Sequence, residues 1–177
     1  MRFHSFVLVL AAAVATPALA QSTAMNSAPS PTADIRIHWQ MMSGYVIRSA
    51  MDVPEDKYAF RPTPGVRSFG ELFAHVAGAQ SMFCAMALGE KTRSEESVTV
   101  RTKADLVAAL QQSNEYCERA YAQTDLAASA SIDVFGTPHS RLYALMMNAT
   151  HDAEHYGNLI TYMRMNGLVP PSSQPTR

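Results

Sequence analysis

Four stretches of this chain repeat apolar side chains every three to four residues, and that period limits the fold to packed helices. The first runs from about Asp34 to Met51, with Ile35, Trp39, Met42, Val46 and Ala50 on one stripe, and ends before Pro54. The second opens at Ser68, whose hydroxyl can cap the Glu71 amide while the Glu71 side chain reaches back, a reciprocal capping box. It carries Leu72, Val76, Ala79, Phe83 and Met86 and stops at Gly89. The third starts near Thr102 and keeps Leu106, Leu110, Ser113, Cys117 and Ala120 in step. The fourth reads as starting with Thr137 as cap and Pro138 in its first turn, and runs to about Asn166, before Gly167, Pro170 and Pro171. No stretch shows sustained strand alternation, so the expected fold is all-α, a four-helix bundle. The linkers at roughly 52–67, 89–101 and 126–136 are longer than the about two to eight residues usual between bundle helices, which points to at least one crossover.

The two cysteines sharpen the topology. Cys84 lies about sixteen residues into the second helix and Cys117 about fifteen into the third, roughly 24 and 22 Å along their axes. Those heights match only if the two helices run parallel; an antiparallel pair would miss by roughly 15 Å, beyond the reach of a disulfide. The intervening linker, when extended, can cross roughly 40 Å. The prediction is a parallel pair joined by a long crossover and bridged by Cys84–Cys117, with two buried free thiols as the alternative.

The ends of the chain read differently. Arg2, the apolar run from Phe6 to Ala15 and Ala18-Leu19-Ala20 before Gln21 have the pattern of a cleavable signal peptide, which predicts cleavage after Ala20 and a secreted or periplasmic product. Residues 21–32 are polar and proline-bearing, as a flexible linker would be, and leave a bundle over 33–168 and a C-terminal tail over 169–177. No later stretch is apolar enough to span a membrane. A net charge of −1, with Lys and Arg scattered, argues against nucleic acid as the partner. A small molecule is the expected partner, with a homodimer left open.

His151 and His155 stand four apart, hence on one helix face a turn from each other, where two imidazoles can reach a common atom. A divalent site needs a third ligand. His75, set in the otherwise apolar face of the second helix, is the best candidate; the alternative is a set of hydrogen-bonded structural histidines. On a helical projection the apolar stripe of the fourth helix is Leu142, Leu145, Met146, Ala149, Ala153, Tyr156, Ile160 and Met163, with the two histidines about 180° away beside Ala144, Asn148, Asn158 and Tyr162. His38 falls at the edge of the first stripe, as an extra ligand, a partner to one, or a packed structural residue. His139 is expected at the surface in the first turn of the fourth helix, and His4 leaves with the signal peptide. His151-Asp-Ala-Glu-His155 also fits the inverted zinc-protease pattern, but no Asp or Glu follows Glu154 to complete that ligand set.

The stretch VPEDKYAFRPTPGVRSFGELFAHVAGAQ, taken together with HDAEHYGNLITYMRMNGL, resembles the DinB-like (damage-inducible protein B) superfamily over nearly all of the mature chain. The resemblance implies an up-down-down-up four-helix bundle and a divalent metal ion, commonly zinc or nickel, held by His75, His151 and His155. It further implies a metal-dependent hydrolase or transferase with an open coordination position, with a non-enzymatic metal-binding or stress-related bundle as the alternative. Gly157 and Asn158 depart from the Arg-Gly-Gln run of many relatives, so a frequent basic neighbour of the site is missing. Related thiol transferases and isomerases use cytoplasmic low-molecular-weight thiols, which a signal peptide sets out of reach.

Overall fold

The computed structural model describes residues 29–91 and 102–175. The expected signal peptide, most of the expected linker and most of the 89–101 connection lie outside the described residues. The first helix, α1 (Pro31–Asp52), begins a turn earlier than its apolar period suggests, because Ser30 caps the Ala33 amide and Pro31 takes the first position. Asp125 ties that start down by accepting from Ser30 Oγ at 2.9 Å and from the Thr32 amide at 3.0 Å. Helix α2 (Phe69–Leu88) carries the full capping box of Ser68 and Glu71 and ends on Gly89, whose φ of 72° is the left-handed cap that only glycine adopts without cost. Helix α3 (Lys103–Tyr121) is capped by Thr102. After a single turn, α4 (Asp125–Ala128), come two short strands, β1 (Ser131–Val134) and β2 (Thr137–Ser140), and then α5 (Arg141–Met165).

The strands correct the reading of residues 126–140. Thr137 and Pro138 do not open the last helix; they pair antiparallel with Val134 and Asp133 in a hairpin, and Ser140 is the helix cap. Phe135 and Gly136 both have positive φ, 52° and 83°, which is the two-residue turn that suits the twist of a hairpin. Pro138 is tolerated because a two-stranded ribbon is all edge. His139 therefore sits on β2, half-buried and stacked on Tyr143 at 3.9 Å, and not in a helix.

Side-chain pairs fix the direction of each long helix. Gly70 and Leu106 pack together near the starts of α2 and α3, Gln80 Nε2 donates to Ser113 Oγ half-way along, and Cys84 and Cys117 are bridged near the ends with a Cα separation of 5.3 Å. These two helices run parallel. Trp39 Nε1 on α1 donates to Gln80 Oε1, and Lys103 Nζ at the start of α3 donates to Met51 and Val53 at the end of α1, so α1 opposes both. At the other side Tyr162 Oη donates to the Arg67 carbonyl while Asn148 lies against Cys84, so α5 opposes α2. The four long helices therefore run up, down, down and up.

Two apolar clusters fill the interior. One contains Val46, Phe69, Leu72, Phe73, Val76, Leu110, Leu159 and Met163, and the other Trp39, Cys84, Cys117, Tyr121 and Leu145, with Trp39 stacked on Tyr121 at 4.3 Å. Between them each long helix inserts one buried polar residue: Ser43, Gln80, Ser113 and Asp152. The C-terminal segment packs back on the bundle, with Tyr156 Oη donating to Ser172 Oγ and accepting from its amide, and Gln174 Nε2 donating to Asp52.

The Cys84–Cys117 bridge spans 33 residues. Loop-closure entropy for that length corresponds to about 3–4 kcal/mol of destabilisation of the unfolded chain. Replacing both cysteines by serine should lower the guanidinium unfolding free energy by an amount in that range; an unchanged midpoint would mean that the bridge contributes nothing.

Candidate metal centre

His75 lies on the second turn of α2, and His151 and His155 lie one turn apart on α5. Because the two helices are antiparallel and packed through Leu72, Val76, Leu159 and Tyr162, the three side chains meet at the same height. The His75 Nε2 is 2.9 Å from the His155 Nε2 and 3.1 Å from the His151 Nε2, and the last two are 3.0 Å apart. A neutral imidazole offers one lone pair, and three nitrogens this close can direct theirs at one shared point. Donors at this spacing can all lie about 2.0–2.1 Å from one ion seated to one side of their plane. The residues present thus fit a divalent metal. Among the described residues no other group of His, Cys, Asp or Glu is arranged for one.

The surroundings keep His75 and His151 neutral. Burial pulls the His151 pKa down to about 3, aided by His155, His75 and the positive charge of Arg67. Burial pulls His75 down to about 4, with Arg67 adding to the effect and Glu154 opposing it. Neutral imidazole is the ligating form. Asn158 Nδ2 lies 3.4 Å from the His155 Nδ1 and helps to orient that ring. Phe83 packs edge-on against His151 at 5.8 Å and is itself met by Phe135 at the hairpin tip, at 6.2 Å. On the other side a groove of about 650 Å³ opens beside His155, lined by Arg61, Arg67, Glu154, Asn158 and Tyr162 among others.

Residues 36–159 match the family profile of the DinB superfamily. The chain belongs to the DinB superfamily. The structure is similar to that of a DinB-like protein from Bacillus cereus ATCC 10987, with a TM-score of 0.68 and 18% identity over 77% of this chain and 93% of that one. It is also similar to a DinB-like protein from Bacillus subtilis, with a TM-score of 0.64 and 22% identity over 81% of this chain and 99% of that one. At such identities the likeness is one of fold. No curated protein matches the chain in sequence.

Within this DinB-superfamily bundle the three histidines singled out in the sequence come together, whereas His38 is half-buried on α1 and does not join them. The expected stripe of α5 needs correction. Leu145, Ala149, Tyr156 and Met163 are buried as expected, but Met146 is 44% exposed, while Ala144, Asn148, Asp152, His155 and Tyr162 face inward. Packing against both α1 and α2 widens the inward arc, and it takes in polar positions that a projection weighted by apolarity assigns to solvent. Asp152 was missed for that reason. It is fully buried, neither carboxylate oxygen has a hydrogen-bond partner among the described residues, and burial pushes its pKa well above the usual carboxylate range. The signal available was its place beside His151, one position round from a residue that had to face a partner helix.

These shifts set opposite pH limbs for the metal-free protein. Histidines titrating at 6.5 when unfolded and at about 4 and 3 when folded give protons preferentially to the unfolded chain, so stability falls as pH drops from 6.5 towards 3. Asp152 does the reverse: the folded chain keeps a proton that an unfolded carboxyl releases above 3.8, so its contribution is lost as pH rises towards its folded value. Thermal melts in chelator should show Asp152→Asn losing the alkaline decline while keeping the acid one. A variant profile parallel to that of the unmodified protein would refute this assignment.

Proposed function

We propose that this chain is an exported protein that binds one divalent cation, zinc or nickel, through His75, His151 and His155 and presents it to a small molecule in the groove between α2 and α5, as a metal-dependent hydrolase or transferase. The observation that carries the reading is the convergence of three imidazole nitrogens, from two helices, within 2.9–3.1 Å of one another. A divalent cation supplies Lewis acidity, polarising an oxygen or sulfur of the bound molecule. The protein's own part is to keep His75 and His151 in the neutral form, to orient His155 through Asn158, and to leave the side towards the groove open. Three neutral ligands leave the ion's charge uncompensated, which favours an anionic occupant. The Cys84–Cys117 bridge supports the export reading, since such bonds persist in oxidising compartments.

A second reading, a metal that only clamps two helices, is favoured by the site's position across the α2–α5 seam. Both readings require metal. Elemental analysis of the untagged protein should find about one divalent ion per chain, and His155→Ala should fall below about a tenth of that while its circular dichroism stays helical. Full occupancy in the variant would overturn the ligand set. A cobalt(II) spectrum that shifts on adding small anions would favour catalysis, and an inert four-ligand spectrum would favour the clamp.

A further inference from the structure

The groove beside His155 takes one wall from the loop before α2, with Arg61 and Arg67, and the other from α5, with Glu154, Asn158 and Tyr162, whose Oη donates to the Arg67 carbonyl. Phe83 and Phe135 lie outside it, on the far side of His151. The two guanidinium groups of the groove are not equivalent. Arg61 Nη2 is held by Glu71 at 2.9 Å, and Glu71 in turn accepts from the Ser68 amide in the capping box, so that charge is neutralised within the fold. Arg67 is exposed on the groove wall and has no carboxylate within ion-pair distance among the described residues. Its charge is nevertheless felt at His75 and His151, which places it close to the ligand triad.

We propose that the molecule taken by this groove is an anion with two separated polar ends, one directed at the three-histidine centre and the other, a carboxylate or phosphate group, held by Arg67. The proposal rests on the metal-site reading above and gives that site its substrate class. A planar guanidinium offers paired donors that match two oxygens of either group. Arg67 is thus a binding residue that fixes which way round the molecule lies.

The test uses the full-length mature protein loaded with cobalt(II), whose visible spectrum reports occupancy of the centre. Dissociation constants are measured for malonate, succinate, glutarate and 3-phosphonopropionate and, as references lacking the second anionic group, for propionate, butyrate and valerate. At least one member of the first set should bind about tenfold more tightly than the monoacid of its own length. Arg67→Gln should reduce that ratio to about one while leaving cobalt uptake and monoacid binding unchanged, and Arg164→Gln, at the same end of the bundle but bonded to Ser173 outside the groove, should retain it. If succinate and its homologues show the preference but 3-phosphonopropionate does not, the held group is a carboxylate; the converse identifies a phosphate. Absence of any preference, or a preference that survives Arg67→Gln, overturns the proposal. Failure to take up cobalt at all would show at the first step, and would bring down the metal reading and this one together.

Discussion

The antiparallel packing of α2 on α5 is the constraint on which the rest depends. Phe69, Leu72, Phe73 and Val76 on one helix close against Tyr156, Leu159, Tyr162 and Met163 on the other, with Phe69 edge-on to Tyr162 at 5.5 Å. Burial of side chains this large contributes about 1.5–3 kcal/mol apiece, enough to offset the desolvation of imidazoles drawn out of water beside them. The same contact sets the axial register. Helical side chains repeat every 5.4 Å or so along an axis, so a slip of one turn would carry His75 away from the other two by more than a ligand bond can span. The meeting of the three histidines is therefore a by-product of how apolar residues elsewhere on the two helices interlock.

The disulfide acts on a different pair and for a different purpose. Joining α2 to α3, it holds in parallel two helices that a short connection would have turned antiparallel. This part of the topology was legible from arithmetic alone, because helical rise is constant and a sulfur bridge has a narrow reach. The caps were legible for a similar reason: Ser68 with Glu71, Thr102 and Gly89 have one local function each, and each performs it. The histidine triad was half legible. Spacing placed His151 beside His155, whereas His75 entered through an odd polar residue in an apolar face and through family resemblance.

What escaped has physical causes. A hairpin of two four-residue strands is too short for alternation to register, and the turn at Phe135-Gly136 lacks the usual Asn or Asp in its first position. Thr137-Pro138 then imitates a helix start convincingly, since cap chemistry is read over two or three residues and the strand partner lies outside that window. Asp152 escaped because burial of an acid is a decision made by three neighbouring helices, and no local pattern encodes it. Arg67 sits in a loop, and nothing about a loop arginine distinguishes it until the groove beside it is known.

The polar band of Ser43, Gln80, Ser113 and Asp152 divides the interior into two short cores strung on the same four rods. Contacts across such a seam are weaker than those within either half, so each half has its own local opening free energy. The half containing the sulfur bridge is covalently pinned, and the half around Phe69 and Met163 is not. His151 immediately precedes the seam residue on α5, and His75 belongs to the unpinned side on α2. The contact between these two rings therefore ties the looser half to the residue at the joint, and local opening of that half is the motion that parts them.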